Sequence, residues 1–262
     1  MLPGEGLDSL LYVTLPHIAL LLLAGFAGGF VNAIAGGGSL LVFPALLATG
    51  LGSVAANVTN SVALWPGYVG NLAGLGRVAV DEARTRVDLA LISVVGAALG
   101  AVTLLVTPQG AFDFLVPILV ILASLLVGVQ PAVSRRIGSE QHRRPVALRV
   151  AVGIGSFYGG YFGGGLGVIL LAVIGLTMAA PLREMNVLKA VLTMVVSTVS
   201  LLTFIFFAPV HWSAVAVVAP AALLGGALGG RAARVVDERA LRIAIVTFGI
   251  AIGIWLGLRV YT

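Results

Sequence analysis

Apolar runs of about bilayer-spanning length, separated by short polar or glycine-rich breaks, follow one another along the whole chain. They predict ten helical segments, at approximately 14–35, 39–50, 55–75, 88–107, 112–131, 146–162, 165–178, 186–208, 212–231 and 239–260. Segments 39–50 and 165–178 are too short to cross a bilayer at 1.5 Å per residue, and each follows a glycine triplet. They read as halves of broken or re-entrant elements. The fold class expected is therefore all-α and polytopic, with no soluble domain.

The breaks between segments carry the orientation. Arg77, Arg84 and Arg86 fall in one loop, Arg135, Arg136, Arg143 and Arg144 in a second, and Arg231, Arg234, Arg239 and Arg242 near the end, which places all three on the cytoplasmic side. The connections near 50–54, 108–111 and 208–212 have no Lys or Arg. Both termini are then expected outside. The opening MLPGEGLDSL has two acids and no basic residue, unlike the n-region of a cleaved signal, so the first segment is expected to be a retained span.

Composition agrees with this reading. Of 262 residues, 60% are hydrophobic and only 10% charged, and the mean hydropathy is +1.13, which excludes a water-soluble globule. The net charge of +5 comes from arginines between apolar segments, so it reports topology rather than a nucleic-acid partner. Cysteine is absent, which removes disulfides and thiolate chemistry.

The chain also resembles itself. GFVNAIAGGGSLLVF from Gly29 aligns with SFYGGYFGGGLGVIL from Ser156, placing Gly36, Gly37 and Gly38 on Gly163, Gly164 and Gly165 at an offset of 127. Asn57-Val58 then matches Asn186-Val187, and the stretch Gly96–Gly100 matches Gly225–Gly229, both at an offset of 129. An odd number of segments per unit inverts the second copy relative to the first. The expected units are a first transmembrane repeat at 1–131, a cytoplasmic linker at 132–145 and a second repeat at 146–262.

Polar residues inside the segments form stripes. Asn57, Asn60, Ser61, Tyr68 and Asn71 share one helix face, as do Asn186, Lys189, Thr193, Ser197 and Ser200 in the second copy. Lys189 occupies the repeat position of Asn60. It is the only lysine beside fourteen arginines, and an ionisable group within a span is a functional candidate. Two other readings stay open for it, an accident of arginine bias or a side chain snorkelling to the inner headgroups beside Arg183.

All ten acids lie in loops or at segment ends, which disfavours a cation site built on carboxylates. A buried cation with hydroxyls, amides and backbone N–H groups suits an anion instead. The glycine triplets let the main chain leave the helix, and the short helices starting at Ser39 and Leu166 would aim their N-terminal dipoles at that place. Tight packing is the competing role of those triplets. Gly25/Gly29, Gly96/Gly100, Gly225/Gly229 and Gly249/Gly253 have the spacing of helix-packing motifs. Tyr158 and Tyr161 flank the second triplet and could offer hydroxyls or simply pack. Trp65 is a weaker candidate, and His17, His142 and His211 show no ligand spacing.

Taken together, GGFVNAIAGGGSLLVFPALLATGL, AANVTNSVAL, YGGYFGGGLGVILL and REMNVLKAVLT resemble the sulfite exporter TauE/SafE family over essentially the whole chain. The resemblance implies a bacterial-type inner-membrane protein and a sulfite or organosulfonate substrate such as sulfoacetate. The substrate is then expected among Asn32, Gly36, Gly37, Gly38, Ser39, Asn57, Asn60, Ser61, Tyr158, Tyr161, Gly163, Gly164, Gly165, Asn186, Lys189 and Thr193. No cofactor or metal is expected. The partners are a small anion and the lipid bilayer; a homo-oligomer is compatible with the sequence but not required by it.

No nucleophile–base pair or metal set supports a membrane enzyme. The expectation is a secondary transporter working by alternating access at a midplane site, with a passive anion channel, or a carrier of another small oxyanion or carboxylate, as the competing readings.

Overall fold

In a computed structural model, the structure describes residues 15–34, 36–75, 77–137, 145–178, 180–232 and 236–261. Among them there are eleven helices and no strand, as an all-α reading requires. The helices are α1 (Leu15–Ile34), α2 (Ser39–Ala48), α3 (Ser53–Leu75), α4 (Arg77–Thr85), α5 (Val87–Val106) and α6 (Gln109–Ile137). They continue as α7 (Pro145–Tyr161), α8 (Leu166–Thr177), α9 (Leu182–Phe207), α10 (Trp212–Ala232) and α11 (Glu238–Tyr261). Six of these, α1, α5, α6, α9, α10 and α11, are long and apolar enough to cross a membrane. Outward faces of large apolar side chains, such as Leu23, Leu91, Leu99, Ile118 and Phe206, fit a lipid solvent, and the protein is a multi-pass membrane protein.

Two expectations change. The loop expected to hold Arg77, Arg84 and Arg86 is mostly helix α4, which buries Ala79 and closes with an Arg86–Glu82 ion pair at 3.7 Å. Helix α6 continues to Ile137, so residues 132–137 are helical rather than linker, and Arg135 and Arg136 lie on that helix. Arg242 lies in α11, within the expected segment 239–260, and is only 7% exposed. The opening ten residues and Arg143, Arg144 and Arg234 lie outside the described residues.

Packing joins helices far apart in sequence. Helix α1 lies along α10, α5 along α7, and α6 along α11, while α3 and α9 cross at the centre. The first two contacts are built from glycine: Gly25 and Gly29 face the main chain of Val218 and Ala222, and Gly225 and Gly229 face that of Phe26 and Phe30. Gly96 and Gly100 meet Gly153 and Phe157 in the same way. Small residues bring backbones together where lipid offers no hydrophobic drive for helix pairing. The two crossings match by register. Gly29 touches Ala222, and at the corresponding positions Ser156 donates a 3.0 Å hydrogen bond to Ser93.

Candidate functional site

Both glycine triplets break the helix with left-handed backbone. Gly36 and Gly37 have φ of +74° and +89°, and Gly163 and Gly165 have +76° and +71°, a region other residues enter at a cost. Each break launches a short helix, α2 at Ser39 and α8 at Leu166, where the triplets predicted them. Among the described residues no carbonyl accepts from the N–H groups of Gly37, Gly38 and Ser39, nor from those of Gly164, Gly165 and Gly167. Among the described residues, the two helix starts thus present amides without a carbonyl partner and the positive ends of their dipoles.

The breaks lie close together. Gly36 approaches Val168 at the start of α8, while Gly165 faces Ala123 and Gly37 faces Val127, one turn further along α6. Between them is a cavity of about 20 Å³, room for roughly one water. Ser39 of α2, Ser61, Leu64 and Tyr68 of α3, Gly159 of α7, Gly163 of the α7–α8 break, Leu166 of α8, and Ser197 and Ser200 of α9 line it. The Tyr68 hydroxyl also faces the side chains of Asn32 and Ser39. Ser200 is 3% exposed and its hydroxyl has no hydrogen-bond partner.

The other expected residues fall around this cavity in different ways. Tyr158 donates a 2.7 Å hydrogen bond to the Gly164 carbonyl, bracing the turn. Tyr161 stacks on Phe157 and meets Phe112 edge-on, and its carbonyl accepts from Asn57 Nδ2 at 3.0 Å. Asn60 is buried, and the oxygens Asn57 Oδ1, Asn60 Oδ1 and Thr193 Oγ1 have no donor. Lys189 does not line the cavity. Its ammonium donates to Asn186 Oδ1 at 3.1 Å, its stem lies beside Gly167, and eight residues separate it from Ser197, about 12 Å along the helix.

Tyr68, Ser197, Ser200 and Gly159 line the cavity without having been expected in the site. The first three belong to the polar stripes and were legible as such. Gly159, a glycine within α7, gave no signal beyond its type. Trp65 donates to Thr198 at 3.1 Å and so ties α3 to α9 at their crossing.

Comparison with known proteins places this arrangement. The chain is 28% identical over 256 residues to the probable membrane transporter protein ORF9 of Sinorhizobium sp, covering 91% of this chain and 92% of that one. It is 28% identical over 253 residues to the probable membrane transporter protein YfcA of Escherichia coli strain K12, covering 92% and 90%. A probable membrane transporter protein of Haemophilus influenzae is 25% identical over 234 residues, covering 87% and 90%. No solved structure matches the chain significantly. The family model described as sulfite exporter TauE/SafE matches residues 21–256, nearly the full length, and the chain belongs to that family.

Proposed function

We propose that the protein is a secondary transporter of a small anion, sulfite or an organosulfonate such as sulfoacetate, in a bacterial-type inner membrane with both termini outside. The observation that carries this reading is the cavity at the paired glycine breaks, where two helix N-termini with unpaired amides meet Ser39, Ser61 and the unpartnered Ser200 hydroxyl, with no acid in its lining. Lys189 supplies positive potential at the first turn of α8. Two inverted repeats rock against each other around the cavity, which in this conformation has room for about one water. The matched crossings of α1 with α10 and α7 with α5 support that reading. So small a space favours a carrier over an open channel, and the TauE/SafE membership favours the sulfur-containing anions. The same features favour transport over catalysis.

Thermal unfolding of the purified protein with sulfite, sulfoacetate, other sulfonates and carboxylates tests the site, because a bound ligand raises Tm with the logarithm of its concentration over Kd. The expected result is a saturable shift for a sulfur oxyanion, smaller in Ser200→Ala and in Lys189→Ala. No shift with any member of the panel removes the anion site. Accumulation of the shifting anion in proteoliposomes against its gradient separates a carrier from a channel.

A further inference from the structure

At one buried place the two copies differ in charge. In the second copy, the Lys189 ammonium donates to Asn186 Oδ1. At the matching positions of the first copy stand Asn60 and Asn57. These are 2% and 1% exposed, and both Oδ1 atoms are buried without a donor. One turn apart on α3, they share a helix face. Where one copy carries a positive charge against an amide oxygen, the other presents two amide oxygens and no charge.

The surroundings favour a cation there. Asn57 Nδ2 donates to the Tyr161 carbonyl, so the side chain sits on the last turn of α7, whose backbone breaks off at the glycine triplet. A helix C-terminus carries negative partial charge and carbonyls with lone pairs to spare, and broken helices in carriers present such ends to alkali ions. We propose that Asn57 Oδ1 and Asn60 Oδ1, with the carbonyl end of α7, form a binding site for a sodium-sized monovalent cation, the counterpart of the Lys189 ammonium. A divalent ion is disfavoured, because it calls for carboxylates and the ligands offered here are neutral amide and peptide oxygens.

The site adjoins the proposed anion cavity, since Ser61, the residue after Asn60, lines that cavity. Bound cation would strengthen anion binding, and this consequence, unlike cation binding itself, rests on the transport reading.

The test is the melting temperature of the full-length purified protein as Na⁺ replaces K⁺ or choline at constant ionic strength, with no anionic substrate. The expected result is a saturable rise with Na⁺, smaller with K⁺ and absent with choline. Asn60→Lys, which puts an ammonium at that position, removes the response, and Asn57→Ala weakens it about tenfold or more in half-saturating Na⁺. Asn60→Asp keeps an oxygen and adds charge, so it retains the response at lower Na⁺ and carries the test if Asn60→Lys does not fold. Equal curves for all three cations in the wild type, as a buried water on these oxygens would give, overturn the proposal. So does a wild-type Na⁺ response in Asn60→Lys. A Na⁺ shift in a protein that no anion stabilises would leave the cation site standing and remove the anion reading; an anion shift in a protein that gives no Na⁺ response would do the reverse.

Discussion

Among the described residues, five glycines adopt left-handed backbone, and their settings differ enough to separate backbone cost from site function. Gly50, in the turn after α2, has φ of +92° and open space around the place a Cβ would take. Gly165 has φ of +71° and its Cβ would sit 3.6 Å from Ala123, an ordinary contact. Alanine at either position is expected to cost about 1–2 kcal/mol through the backbone alone. Only Gly165→Ala is also expected to lose the anion-dependent rise in Tm. Equal ligand responses in the two variants would assign the second triplet to chain reversal and nothing more. Much at this scale was legible: the helical period put Asn57, Asn60, Ser61 and Tyr68 on one face. It gave direction around the axis but neither depth nor neighbours, so it did not separate Ser200, which lines the cavity, from Lys189, which stands about three turns away.

Among the elements, the long apolar helices were the most legible, with ends within a few residues of those expected except at the end of α6, because the bilayer demands length and the glycine and proline breaks mark where it stops. Helix α4 was missed for the opposite reason. It is short and polar, and its signal lies in the i, i+4 pairs Ala79/Ala83 and Glu82/Arg86 rather than in hydropathy. The α1–α10 contact gives a test at this scale. A Cβ on Gly225 would run into the Phe26 carbonyl, whereas one on the adjacent Gly226 would find its nearest neighbour, Gly29 O, at 3.7 Å. Thermal unfolding is expected to place Gly225→Ala about 1–3 kcal/mol below the wild type and Gly226→Ala near it. A reversed order would mean that the crossing is not held by close backbone approach.

Across the whole molecule, the internal likeness was readable as aligned triplets, but not the way the halves embrace. Hydropathy and self-similarity say which segments correspond and leave open which ones touch. In the structure α1 rests on α10 and α7 on α5, so each half lends its third long helix to the first helix of the other. Cutting the chain within 138–144, between α6 and α7, should therefore give two pieces that are each unstable in the membrane when made alone, since each lacks the strand of small residues its first helix lies against. Made together in one cell, they should purify as a single complex through a tag on either piece. A stable, separately purified amino-terminal piece would contradict this interlocking. If the two units are inverted copies, as proposed above, the same exchange constrains how such a protein could have arisen: the ancestor before duplication would have been a pair of identical chains, inserted in opposite directions and clasping one another.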